Sequence, residues 1–462
     1  MKQVWIRYPA LFYGLTLFLG TLFALASPLA ILPLFLLMNK ENVFKGALIF
    51  LIPMVYLYHV YIFPPSDTVV SGKFYIQSIQ ESRSITKGWN YRGLLKTPTG
   101  SLACLIHSKT RYLANQIYQI HGKAYSESGY FYLIKEAEWM ALYKTCSLVE
   151  MRYQAKKWVR SYIKRHIKNR RSAQFLTGMI TGSLEDPMLI QEFSHLGLSH
   201  IMAISGFHFA LLTLFIHLLL HLFLPPKGEA CLLIFILTIY LLFIGESPSI
   251  QRAWIVTLLF LIGQIFERSS QPLNSLGVAL FIVIFLNPLS AITLSFQLSF
   301  LATAGILVLY QPLNQLLQLW IPKISLKEAL AHRLIWQHFY FLAALIREAL
   351  TLTLSVHLAL LPLLLYHFHT FSLNSLIYNL FFPFCASLAL FLFIISILTG
   401  GLLHPLNNWY CGWLLKLTES PPILFKTFFL EKISPELCTI YMSVLFSLAI
   451  YWTYRPQKKT EM

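Results

Sequence analysis

The sequence predicts a polytopic α-helical membrane protein of about 10–11 spans, with a small OB-like β-barrel inserted on the exoplasmic side and a basic amphipathic helix after it. Three observations predict it. Of 462 residues, 56% are apolar and only 12% charged, with a mean hydropathy of +0.61. A soluble domain carries about 25% charged residues, so a soluble enzyme is excluded. The 36 Lys and Arg exceed the 19 Asp and Glu, for a net charge of +17. Segment 64–172 alone holds 19 basic and 6 acidic residues, a net of +13, which leaves +4 for the other 353. Such a field attracts polyanions, either nucleic acid or anionic lipid headgroups.

Residues 1–63 read as N-terminal transmembrane segments: a span at Pro9–Ala26, a shorter apolar piece at Pro28–Met38, and another span at Gly46–Phe63. The middle piece is short for a hydrocarbon core of ~30 Å, so two or three crossings fit before the soluble segment. The stretch is too long for a signal peptide. Residues 64–138 read as the barrel domain, because short β-branched and aromatic runs at Val69–Gln80, Trp89–Lys96, Ser101–Ile106, Gln116–Tyr125 and Tyr130–Ile134 alternate with Gly, Ser, Asn and Pro clusters. Residues 139–172 read as one amphipathic helix from Trp139 to about Arg170, with Leu142, Cys146, Val149, Tyr153, Val159, Ile163 and Ile167 on its apolar face.

The second membrane block, 173–455, has apolar runs at His200–Leu224, Ala230–Gly245, Ile250–Phe266, Leu273–Leu286, Leu289–Tyr310, Ala343–His367, Leu376–Leu398 and Leu437–Tyr454. Apart from the Ile250 boundary, Lys and Arg gather on alternate breaks. Assigning those breaks to the cytoplasm puts the N-terminus inside and the basic domain outside. A short polar tail, 456–462, then ends outside with Arg455 to Lys459, against the positive-inside tendency.

Chemistry-bearing residues fall in both parts. Arg152, Lys156, Arg160, Lys164 and Lys168 recur every four residues, which sets five cations on one helix face. Like charges at that spacing cost roughly 0.2–0.5 kcal/mol per pair, so the row needs an outside anion, nucleic acid or lipid. Phe74, Tyr75, Trp89, Tyr91, Tyr130 and Tyr132 read either as a stacking platform for single-stranded bases or as barrel core. In the apolar half, His200, Ser205, His208, Glu246, Arg252, Gln297 and Asn379 are path or gate candidates, since polar groups at membrane depth default to function. Glu246 is the natural counterion for Arg252. Cys104 and Cys146 share the polar segment, where an oxidising compartment would permit a disulfide between them. No Cys or His spacing suggests a metal site, no catalytic motif appears and no cofactor is expected. No Walker A pattern is present either, so any ATPase is a separate protein.

Four elements in order resemble the ComEC-type competence family, which passes single-stranded DNA across the cytoplasmic membrane during natural transformation. Gly197-Leu198-Ser199-His200-Ile201-Met202-Ala203-Ile204-Ser205-Gly206-Phe207-His208 is similar to its "GL-HLLAISGLH" signature. Gly245 to Ala253 resembles "G-xx-PS-xx-RA", and Ser295 to Ile306 is similar to "FQLSFLA-x-x-GI". Leu360-Leu361-Pro362 through Phe371-Ser372, with Asn379 and Pro383, resembles the later "LP…FS…N…P" stretch. The resemblance implies an exoplasmic OB-like domain, a channel domain over 173–455, and the cytoplasmic (inner) membrane as location. Its implied partners are single-stranded DNA, membrane lipids, a separate DNA receptor and a cytoplasmic ATPase or helicase motor. Many members continue into a metallo-β-lactamase-like domain with an HxHxDH signature. Here His367-Phe368-His369 lacks the Asp-His and the sequence stops at Met462, so a separate nuclease is expected.

These readings combine into a channel importing single-stranded DNA. The alternatives are a transporter of a small anionic or lipid substrate with a lipid-docked basic helix, and an intramembrane enzyme using His and Glu.

Overall fold

The computed structural model describes residues 2–26, 30, 31, 33, 42–82, 88–127, 130–182, 184, 186–198, 206–245, 247–323, 334–372, 374–419, 427–429 and 434–454. It is a polytopic helical membrane protein carrying a small barrel. Helices α1 (Lys2–Arg7), α2 (Pro9–Leu25) and α3 (Val43–Val60) precede strands β1 (Thr68–Ser82), β2 (Gly88–Thr97), β3 (Gly100–Ser108), β4 (Gln116–Ser126) and β5 (Tyr132–Lys144). Then come α4 (Leu148–His166), α5 (Arg170–Thr181), α6 (Pro187–His195), α7 (Gly206–His221), α8 (Pro226–Ile244), α9 (Pro248–Ile265) and α10 (Pro272–Leu286). A 3-10 turn at Pro288–Ile292 leads to α11 (Leu294–Leu317), α12 (Leu334–Phe368), α13 (Asn374–Leu398), α14 (His404–Glu419) and α15 (Pro435–Tyr454). The strands β6 (Thr370–Ser372) and β7 (Thr427–Phe429) pair with each other.

The five expected strands close into a barrel of order β1-β2-β3-β5-β4. All pairs are antiparallel except β3 with β5. Period-two alternation turns Phe74, Tyr91, Leu95, Leu102, Ile106, Ile120 and Ile134 inward. β5 runs ten residues beyond its expected end, to Lys144, and Trp139 belongs to it rather than to a helix. The indole stacks on Tyr112 with centroids 4.1 Å apart and meets Phe74, Tyr91 and Tyr118 edge-on. The helical reading of 139–147 fails because aromatic packing inside the barrel overrides a 3.6-residue apolar pattern. The helix starts instead at Leu148, where the Ser147 hydroxyl accepts from the Val149 amide at 3.2 Å. It stops at His166, and Asn169 caps a second helix by accepting from the Arg171 and Ser172 amides.

Among the described residues, six helices are long and apolar enough to cross a membrane: α3, α8, α9, α11, α12 and α13. Four shorter apolar helices join them: α2, α7, α10 and most of α15. Proline opens α2, α6, α8, α9 and α10, where its missing N–H costs nothing. α2 and α3 run parallel, since Leu19 packs with Phe50 while Leu25 packs with Leu57 and Tyr61 at the barrel. α2 thus ends at the barrel end and α3 starts at the far end. At that far end the Ala10 amide donates to Asn274 at 3.3 Å, and Lys227 pairs with Glu267 at 2.9 Å. At the barrel end Leu289 and Ile292 pack beside Ala103, so α11 starts there and runs away.

Candidate functional site

The basic stripe divides in two. α4 is tied to the barrel by Glu150, which pairs with Arg111 and accepts from the Ala114 amide at 3.1 Å. From that anchor Arg152 Nε donates to the Leu242 carbonyl at 2.8 Å and Lys156 Nζ donates to the Ile244 carbonyl at 2.8 Å. These are terminal carbonyls of α8, unpaired within the helix and sited at the negative end of its dipole. Gly245 makes the approach feasible: its φ is 94°, and a Cβ there would lie 2.7 Å from the Arg152 guanidinium. Burial, reinforced by Arg152 and Arg160 on either side, pushes the Lys156 ammonium down to about 8. Arg160 faces Glu81 of β1 at 3.7 Å, and the Tyr153 hydroxyl donates to the same carboxylate at 3.0 Å.

Three of the five stripe cations are thus answered within the fold. Lys164 and Lys168 are exposed, together with Lys157 and Arg165. The inference that the whole row awaits an external anion is corrected, because a helix end and a glutamate distant in sequence supply the compensation.

Of the aromatic candidates, Phe74, Tyr91 and Tyr132 are buried in the barrel and Trp89 packs against that core. Tyr75 lies under the Lys96 ammonium, 4.9 Å from its ring centre, and Tyr130 meets Phe63 edge-on. Barrel core is the better account of the set. The disulfide expectation is also corrected: Cys104 is a free thiol in the barrel interior, its acidity suppressed by burial, and Cys146 is a free, exposed thiol ahead of α4. A side chain aimed into the barrel core cannot meet one on the outer linker.

Among the path candidates, His200, Ser205 and Glu246 lie outside the described residues. Arg252 is only 9% exposed, one turn into α9, and its Nη2 packs on Gly206 at the first residue of α7. No Cβ would fit at Gly206 beside it. His208, two residues further along α7, is buried. Gln297 is spoken for, donating to the Ala291 carbonyl at 3.0 Å and bracing the 3-10 turn against α11. Asn379 is half-buried on α13, and its Oδ1 has no hydrogen-bond partner among the described residues. The structure therefore brings Arg252 and the start of α7 together, while Gln297 has a structural partner of its own.

Two polar clusters escaped the sequence reading. Glu229 is buried at the start of α8 and pairs with His217 and His221 of α7. The signal was legible, two histidines four apart followed by a glutamate across a short turn. Among the described residues no such group is arranged to hold a metal ion. Ser396 and Tyr162 flank His404, contacting Nδ1 at 2.8 Å and Nε2 at 3.1 Å. That chain pins α4 to α13 and α14.

Comparison with known proteins agrees with this architecture. The family model described as "Competence protein" matches residues 181–455. The chain is similar to ComE operon protein 3 of Bacillus subtilis (strain 168), with 26% identity over 207 residues, 44% of this chain and 23% of that protein. The matched stretch thus spans about a quarter of that relative's length. No solved structure matches.

Proposed function

The chain belongs to the Competence protein family, and on that premise we propose that it is the membrane channel through which single-stranded DNA crosses the cytoplasmic membrane. Its membership makes it a membrane component of DNA uptake; the strandedness of the cargo, the inner membrane and the working partners are this proposal's own. The observation that carries it is Arg252, a guanidinium 9% exposed inside the membrane bundle and within the family segment, with no ion pair to a carboxylate among the described residues. A phosphate backbone cannot cross hydrocarbon without compensating donors and cations, and a buried cation is costly unless it serves such a passenger. The barrel and the exposed Lys157, Lys164, Arg165 and Lys168 would gather DNA outside, with a receptor and a motor supplied by other proteins. The outward apolar residues Leu148, Met151 and Trp158 of α4 favour an additional contact with lipid.

Uptake of end-labelled duplex DNA tests the reading. Cells lacking the chain should keep labelled DNA at the surface and deliver none to the cytoplasm, with Arg252→Ala reducing delivery at least tenfold. Delivery that persists without the chain sinks the channel.

A further inference from the structure

Two positive centres meet where the apolar half offers least dielectric relief. α7 is 16 residues long and begins at Gly206. Its first amides lack intrahelical acceptors and carry the positive end of its dipole. In a helix each Cα–Cβ vector tilts toward the N-terminus, so a group occupying the Cβ position of Gly206 lies beside the first turn on its N-terminal side. Arg252 Nη2 holds that position, with the Ala253 methyl beside it. The guanidinium is more than nine-tenths buried, and its Nε has no hydrogen-bond partner among the described residues. No ion pair joins it to a carboxylate among them either. A buried cation pressed on a helix N-terminus is repelled by it unless an anion lies between.

We propose that Arg252 and the first turn of α7 form a binding site for a phosphate-ester oxyanion. A guanidinium offers a planar fork of donors that matches phosphate, and helix amides supply further donors to the same oxygens. The site rests on the import reading only for the source of its phosphate, the DNA backbone in transit; a lipid headgroup would present the same chemistry.

The test uses the full chain in a maltoside detergent, which contains no phosphate, and follows thermal unfolding. Inorganic phosphate at saturation should raise the midpoint by about 2–4 °C over chloride at equal ionic strength. Arg252→Gln should abolish the rise, and Arg252→Lys should keep part of it. A ten-residue oligothymidylate that gives the same Arg252-dependent rise identifies DNA as the source; phosphatidylglycerol doing so in its place identifies lipid. Absence of a rise in the unaltered chain overturns the site, so the proposal stays testable even if Arg252→Gln does not fold. An equal rise in Arg252→Gln overturns it as well. So does Glu246→Gln destabilising the chain as Arg252→Gln does while phosphate has no effect, since the counterion is then internal. An Arg252-dependent rise upholds the site even where uptake persists without the chain, the result that sinks the import reading alone.

Discussion

Lys156 is the residue at which docking between the soluble part and the membrane part becomes pH-sensitive. Its ammonium is held at about 8, against 10.5 in the unfolded chain, by burial against the end of α8. Below pH 8 both states carry the proton and the fold bears the full desolvation cost. Between 8 and 10.5 only the unfolded chain keeps it, so stability rises with pH across that window. The stability of the unaltered chain minus that of Lys156→Met, from thermal unfolding in detergent, should therefore grow between pH 7.5 and 9.5. A flat difference would mean that the ammonium is well solvated. Gly245, beside the same contact, carries a backbone conformation almost exclusive to glycine, φ 94° and ψ −150°. Gly245→Ala should cost about 1–3 kcal/mol and expel Arg152 from its place. Gly228→Ala is the control, because a Cβ there meets only Pro225 at an ordinary 3.6 Å.

At the scale of elements, α4 has two halves with different work. Its first half is structural glue, with Arg152 and Lys156 capping α8 and Arg160 facing Glu81. Its second half displays Lys164 and Lys168 to solvent. Each phosphate contact to single-stranded DNA contributes about −0.7 to the slope of log affinity against log salt. Lys164→Gln with Lys168→Gln should flatten that slope by about 1.4 in a titration of the full chain with oligothymidylate. Arg152→Gln with Lys156→Gln should lower the unfolding midpoint and leave the slope alone. A slope lost equally in both pairs would restore the five-cation face. The four-residue spacing was legible in the sequence, and so were four of the five strands to within two residues and the start of the fifth. What spacing cannot contain is the partner: Leu242 and Ile244 lie about 90 positions away, and backbone carbonyls have no sequence signature. Trp139 shows the converse, a residue whose local pattern says helix while a ring stack with Tyr112 holds it in a strand.

For the whole molecule, the side on which α15 ends follows from its neighbours α11 and α12. Counting apolar runs alone leaves the basic tail beyond Tyr454 outside, in conflict with its lysines. α14 is a further helix between α13 and α15. It carries Asn407, Asn408, Lys416 and Glu419 and lacks the apolar run of a span, yet it lies antiparallel to α13. His404 meets Ser396 at one end, and the Tyr378 hydroxyl donates to the Leu417 carbonyl at the other. α15 begins near the end of α12, with Tyr441 donating to the Leu358 carbonyl at 3.1 Å. It finishes with Trp452 donating to Gln315, close to the end of α11 that points away from the barrel. α15 thus ends on the face opposite the barrel, where positive residues belong in a cytoplasmic assignment. A green fluorescent protein fused after residue 462 should fluoresce, and alkaline phosphatase fused there should be inactive. Phosphatase inserted in the barrel turn between β4 and β5 should be active. An active phosphatase at the C-terminus would overturn this placement of the end of α15, and would put Arg455, Lys458 and Lys459 back in conflict with the field that orients the rest.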